Sequence, residues 1–198
     1  MPTETELKIR VADADADAAR AAVEAAGGVF LAEVRQTDTF WDRPDGSLRK
    51  ADRAVRLRRT ELREAGAEPP DPRPLLTCKG PRQPGRMKVR REDQTHVDDA
   101  PAVEAALTTA GLTAAMVVQK NRRSYRLGDC RVEIDTLPQI GTFVEIEGPD
   151  EPAVEVTRRR LALPGEPTTE PYVALLRAAA RRRAAPLDRF TFDDARPA

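Results

Sequence analysis

Apolar and polar residues alternate with period two through a series of stretches, 4–11, 28–41, 54–60, 75–79, 87–96, 117–127, 131–137 and 142–147. This is the pattern of strands with one face turned to a core. Four segments carry helical patterning instead: the Ala-rich 13–26, closed by Gly27-Gly28; 100–110, behind Asp98-Asp99; 151–163, behind Gly148-Pro149-Asp150; and 172–183. The segments 63–74 and 80–86, rich in Pro and Gly, read as loops. Strands dominate and helices interleave, so the pattern predicts an α+β domain over residues 1–183. A C-terminal tail follows at 184–198, with aromatic residues but little periodicity.

The polar positions of these strands are charged. In Glu4-x-Glu6-x-Lys8 the three charges share one strand face, with Thr5, Leu7 and Ile9 on the other. The same phasing recurs for Arg56 and Arg58, Lys79, Lys88 with Arg90 and Glu92, Lys120 and Arg122, Glu133 and Asp135, and Glu145 and Glu147. Glu4-x-Glu6 near the start is echoed by Glu145-x-Glu147 near the end. Two arrangements satisfy such stripes. An antiparallel sheet with one wet face leaves them solvated. A sheet of about eight strands that closes on itself turns them into a cavity wide enough for side chains or one small ligand. In that second case the charges must be paired or must bind ions. Carboxylates suit hard divalent cations and Arg and Lys suit a polyanion, so a triphosphate with Mg²⁺ or Mn²⁺ would answer both.

Composition narrows the reading. The 198 residues carry 33 Lys+Arg against 33 Asp+Glu, so no overall basic field draws the chain to nucleic acid or membrane. The opening residues lack the basic and apolar regions of a signal peptide, and no apolar run is long enough to span a bilayer. A soluble, cytoplasmic protein is expected. Cys78 and Cys130 are far apart, lack metal or redox spacing, and read as buried thiols. The single histidine, His96, reads as a strand-end or surface residue, and neither a nucleophile elbow nor a P-loop is present.

Taken in order, the strings Glu4-x-Glu6-x-Lys8, Gln36-Thr-Asp38-Thr-Phe-Trp-Asp42, Val55-Arg56-Leu-Arg58, Leu76-Thr-Cys-Lys79-Gly80-Pro81, Arg90-x-Glu92, Val118-Gln-Lys120-Asn-Arg122, Ile134-Asp135 and Gly141-Thr-Phe143-Val-Glu145-Ile-Glu147 resemble the CYTH domain of the triphosphate tunnel metalloenzymes. That family includes class IV adenylyl cyclases, thiamine triphosphatases and inorganic tripolyphosphatases. Pro171-Tyr172-Val-Ala-Leu175-Leu176 is similar to its closing helix. The resemblance implies an antiparallel β-barrel, or tunnel, of about eight strands with helices packed outside. It implies Glu4, Glu6, Asp135, Glu145 and Glu147 as ligands of one or two Mg²⁺ or Mn²⁺ ions. Arg56, Arg58, Lys79, Arg90, Lys120 and Arg122 would clamp the triphosphate, and Lys8 would either be the catalytic group that positions or deprotonates the nucleophile or serve only to balance Glu6. Glu92 and Glu133 share the inward phase, Asp38 is either inside or a strand-end cap, and Gln94 stands where relatives often carry an acid.

The implied partner is a small-molecule triphosphate: ATP, tripolyphosphate or thiamine triphosphate. A homodimer is left open. Attack by the ribose 3′-hydroxyl of ATP would give cyclic AMP and pyrophosphate, as in the cyclase branch that the strings resemble most. Attack by water would make the chain a triphosphatase. A non-catalytic module binding polyphosphate or RNA ends is the third expectation, although such a binder would not need the carboxylates. No pocket for a base is legible in the sequence.

Overall fold

The computed structural model describes residues 3–12, 16–83, 88–165 and 167–193, with the side chains of Thr3, Glu4 and Lys88 outside the description. Eight long strands carry the fold: β1 (Thr3–Val11), β2 (Val29–Asp42), β3 (Ala54–Ala65), β4 (Leu75–Gln83), β5 (Lys88–His96), β6 (Thr113–Leu127), β7 (Cys130–Leu137) and β8 (Gly141–Gly148). They hydrogen-bond in the order β6-β2-β3-β4-β5-β1-β8-β7, and β7 pairs back onto β6. The sheet is therefore a closed ring whose neighbouring strands all run antiparallel. Closure decides between the two arrangements open to the charged stripes, because it turns one face of every strand inward.

The outward apolar stripes need cover, and helices supply it. Helices α1 (Ala16–Ala25) and α4 (Glu151–Leu161) lie over β1, β6, β7 and β8. Ala19, Val23, Val154 and Leu161 there pack with Leu7, Ile9, Tyr125, Val132, Val144 and Ile146. Gly148 permits the close approach: a Cβ there would lie 2.9 Å from both Cys130 Sγ and Val154 Cγ2. Helices α3 (Ala100–Thr109) and α4 start where the sequence places them. Asp99 accepts a hydrogen bond from the Ala102 N–H and Asp150 accepts one from the Ala153 N–H, each at 2.9 Å.

A second apolar cluster closes one end of the ring. Helix α5 (Tyr172–Arg182) sets Leu176, Ala179 and Ala180 against Met116, Val118, Leu137, Ile140 and Phe143. Phe190 joins them from the short strand β10 (Arg189–Phe190), which pairs in parallel with β6. The first part of the expected tail is thus docked, while residues 194–198 lie outside the described residues.

Several boundaries depart from the sequence reading. The segments expected to loop at 63–65 and 80–83 continue strands β3 and β4. Cross-strand pairing overrides local composition here: Lys79 is opposite Glu92, and a register shift between Lys79 and Arg82 accommodates Gly80-Pro81. Residues 13–15 of the first expected helix, 84–86 of the second expected loop and residue 87 of the strand expected after it fall outside the described residues. The one-turn helix α2 (Ser47–Lys50) and strand β9 (Pro167–Thr168) carry no periodicity that would have announced them. Cys78, expected to be buried, is exposed, whereas Cys130 is buried. Cys78 occupies the phase opposite the fully buried Thr77, on the outer face of β4. His96 is the exposed last residue of β5, as expected.

Leu176 is fully buried, so Leu176→Ala should cost about 2–5 kcal/mol of stability. Guanidinium unfolding of the two proteins checks this.

Candidate functional site

Register brings the two echoing acidic strings side by side. Strands β1 and β8 pair antiparallel with Glu6 opposite Glu147 and Lys8 opposite Glu145. Glu6, Glu145 and Glu147 each offer a carboxylate oxygen within 4.8 Å of the others. Burial drives the Glu147 carboxyl above its usual range; Arg122 opposes this, and the charges of Glu133, Glu145 and Glu6 reinforce it. Three converging, mutually repelling carboxylates are the donor set of a hard divalent cation, so the residues fit Mg²⁺ or Mn²⁺. Glu4, whose side chain lies outside the description, precedes Glu6 on the same face of β1, and its backbone is opposite Arg90.

Lys8 stands beside this group. Its Nζ donates to the Glu170 carbonyl at 3.0 Å and lies 3.3 Å from Glu145 Oε1 and 4.0 Å from Glu6 Oε1. The same ammonium sits 4.1 Å from the centroid of the Tyr172 ring, and Lys120 Nζ lies 5.5 Å from it.

The expected clamp lines the remaining wall. Arg58 holds Asp38 through two hydrogen bonds of 2.7 and 2.8 Å, and Arg56 Nη1 is 3.6 Å from the same carboxylate. Asp38 is therefore inside rather than a strand cap. Burial would raise its carboxyl, but Arg58 and Arg56 outweigh burial and hold it well below its ordinary 3.8. Arg56 is depressed to about 10, by burial first and then by Arg58, and it donates to Thr77 Oγ1 at 3.1 Å. On β6, Arg122 donates to both oxygens of Asp135 and to Glu145 Oε2, all at 2.6 Å, while Lys120 donates to Asp135 Oδ2 at 2.8 Å. Lys79 pairs with Glu92, and Arg90 donates to the carbonyls of Gly80 and Asp52.

Every expected site residue with a described side chain thus lies on the inner wall. Asp135 differs from the other acids: it is fully buried between Lys120 and Arg122, apart from the Glu6–Glu145–Glu147 group. Glu133 faces inward as its phase implied and accepts from Ser124.

Two cavities meet at the clamp. One, of about 230 Å³, is bounded by Glu6, Lys8, Glu145, Glu147 and the cations, and it runs out to Phe40, Trp41, Met116 and Tyr172. The other, of about 480 Å³, shares Arg56, Arg58, Arg122 and Glu147 and reaches Gln36, Ser124 and the Pro69-Pro70 loop. Sequence reasoning missed the aromatic end. Phe40 and Met116 were legible, since they continue the stripes of Asp38 and Lys120; Tyr172 was not, because a helix outside the sheet delivers it.

The Asp38–Arg58 pair makes a prediction. Asp38→Asn leaves a buried guanidinium uncompensated and should cost about 3–5 kcal/mol near neutral pH. The native carboxyl is depressed below 3.8, so its stabilisation is present above about pH 4 and is lost as pH falls toward the depressed value. The stability gap between wild type and variant should narrow below pH 4, as read by urea unfolding at stepped pH.

Comparison with known proteins agrees with this geometry. A Methanocaldococcus jannaschii protein named "putative adenylate cyclase" is 25% identical over 121 residues, which span 61% of this chain and 63% of that protein. Among solved structures, a Pyrococcus horikoshii protein superposes with a TM-score of 0.73 at 23% identity, covering 87% of this chain and 97% of its own. A Hippeastrum protein, named a "putative adenylyl cyclase" with a dominant triphosphatase activity, superposes with a TM-score of 0.65 at 16% identity, covering 94% of this chain and 99% of its own. The CYTH domain model matches residues 2–160, and the chain belongs to the CYTH domain family.

Proposed function

We propose that this chain is a divalent-metal-dependent enzyme that cleaves a phosphoanhydride bond of a triphosphate, with water as the nucleophile. The observation that carries the reading is the division of one closed interior. The acidic group Glu6, Glu145 and Glu147 lies on β1 and β8, and Arg56, Arg58, Lys120 and Arg122 lie on β3 and β6.

Phosphoryl transfer asks the protein for positioning and charge neutralisation more than for covalent chemistry. Glu6, Glu145 and Glu147, with Glu4 beside them on β1, would hold the cation. A divalent cation bound there supplies Lewis-acid polarisation of a phosphate oxygen and offsets its charge. Asp135 acts through Lys120 and Arg122, fixing their heads toward the cavity. Each guanidinium has five N–H donors, so Arg58 and Arg122 retain donors for phosphate oxygens while chelating Asp38 and Asp135. Lys79 and Arg90 extend the cationic wall along β4 and β5. Lys8, held by Glu170 and the Tyr172 ring, positions the attacking oxygen.

A second reading, cyclisation of ATP by its own 3′-hydroxyl, is favoured by the motif strings of β2, β4 and β6 and by the name of the M. jannaschii relative. The triphosphatase activity reported for the Hippeastrum neighbour favours hydrolysis. The clamp serves either, since only the pose of the nucleophile changes.

Incubation with ATP, thiamine triphosphate and tripolyphosphate, each with Mg²⁺ or Mn²⁺, tests the proposal. Orthophosphate release is the expected outcome, cyclic AMP with pyrophosphate would replace hydrolysis by cyclisation, and no turnover of any of the three would end the enzyme reading. Glu147→Gln should lower turnover by roughly 100-fold, a loss of about 2.7 kcal/mol of charge stabilisation. The same change removes repulsion from Glu6, Glu133 and Glu145, so its Tm should not fall; a drop in Tm parallel to the loss of turnover would make Glu147 a structural residue.

A further inference from the structure

The end of the 230 Å³ cavity beyond the charged groups is chemically unlike the rest of the ring. Phe40, Trp41, Met116, Leu137, Tyr172 and Val173 form its apolar surface, while Asp42, Arg49, Arg53 and Arg177 also border the cavity. Trp41 is brought there by the register shift between Phe40 and Trp41 on β2, and Tyr172 and Val173 by the first turn of α5. An apolar wall is poor surroundings for a phosphate, whose desolvation it cannot compensate.

This wall also carries two polar atoms with nothing to bind. The Trp41 Nε1–H and the Tyr172 hydroxyl are both buried and have no hydrogen-bond partner among the described residues. Trp41 as a whole is only 7% exposed. Buried Trp N–H and Tyr O–H groups usually find a partner, and leaving one unmade costs more than an ordinary hydrogen bond returns. The Tyr172 ring is fixed by Phe143, edge-on at 5.1 Å between centroids, and by the Lys8 ammonium on its face. Its hydroxyl is held in place beside the site without taking part in the protein's own bonding.

We propose that this aromatic end is a subsite for a flat heteroaromatic head group, recognised by Trp41 Nε1–H and Tyr172 Oη, so that the substrate is an organic triphosphate and not inorganic tripolyphosphate. The inference rests on the triphosphate reading above and goes further by naming the substrate class. A heteroaromatic ring supplies both things the wall lacks: a π-face for an apolar slot, and ring-edge nitrogens or oxygens for the two orphaned groups. Concave sites lined by apolar side chains with a few convergent polar atoms are the usual form of such recognition. The phosphates would then extend from this end toward Lys8, Lys120 and Arg122, which border the same cavity.

Electrostatics make the test sharp. Tripolyphosphate lacks a head group and carries at least as much charge as an organic triphosphate, so the clamp alone would favour it. Isothermal titration in Ca²⁺, whose looser coordination favours binding over turnover, would compare tripolyphosphate, the β,γ-imido analogue of ATP and thiamine triphosphate. We expect at least one organic ligand to bind about tenfold tighter than tripolyphosphate. Preference for the ATP analogue would assign a nucleobase, and preference for thiamine triphosphate a thiamine-like ring.

Tyr172→Phe and Trp41→Phe each keep a ring while removing the polar atom, and each should shrink that preference by about three- to tenfold. Val173→Trp fills the slot from the half-buried first turn of α5 and should abolish the preference even where the other two variants fold poorly. Equal binding of all three ligands to wild type, or a preference that all three variants retain in full, would overturn the subsite and leave the triphosphate reading standing. Absence of binding by any of the ligands would remove the triphosphate reading itself.

Discussion

A charge buried in a protein interior must be matched there, and much of this molecule follows from matching many at once. Desolvating a carboxylate or a guanidinium costs several kcal/mol, and a single uncompensated ion is not tolerated. Closing the sheet puts Asp38, Arg56, Arg58, Lys120, Arg122, Asp135 and Glu145 at or below 9% exposure in one space. They are compatible because register pairs them: Asp38 stands opposite Arg58 and Arg122 opposite Asp135. A one-residue slip of any strand would move its charges onto the outer surface and its Leu, Ile and Val inward. The ring is thus specified twice, by ion pairing within and by the apolar layer under α1 and α4 without.

Matching is not uniform around the ring, and the proposed site lies where it is uneven. On β6, Asp135 satisfies Lys120 and part of Arg122. On β1 and β8, by contrast, Glu6, Glu145 and Glu147 crowd together, with Lys8 and Arg122 as neighbouring cations. The excess of carboxylate there and of guanidinium on β3 and β6 is held apart by the backbone ladder, which fixes side-chain positions that the charges alone would rearrange. Such preorganisation is what a reaction governed by developing charge on phosphate oxygens requires. Helix α5 then converts the ring from a passage into a site with a distinct end. Its Leu176, Ala179 and Ala180 cover one mouth, and its first turn sets Tyr172 against Lys8.

Much of this was legible along the chain because strand periodicity is a local property. All eight long strands appear in the alternation of apolar and charged residues. Helices α3 and α4 are announced by Asp99 and Asp150, whose caps form as the sequence implies. The inward phase of Arg56, Arg58, Lys120, Arg122, Asp135 and Glu145 follows from the same alternation. What local pattern cannot supply is partnership. Asp135 was read with the metal-binding acids, and it is its cross-strand opposition to Arg122 that pairs it with Arg122 and Lys120. Gly80 to Gln83 was read as loop from its composition, and pairing with β5 makes it strand.

The sequence by itself determined the chemistry of the strand faces: which residues share a face, that those faces carry opposite charges, and that the ordered strings are those of the CYTH domain. Side-chain alternation has a fixed period of two, so these facts need no knowledge of distant neighbours. Tertiary structure alone decided that the faces close on one another, that Glu6 lies against Glu145 and Glu147, and that Trp41 and Tyr172 border one cavity. Those relations join residues far apart in the chain: the pairing of β1 with β8 sets Glu6 against Glu145 and Glu147, the closure of β7 onto β6 completes the ring, and the docking of α5 brings Tyr172 to the cavity.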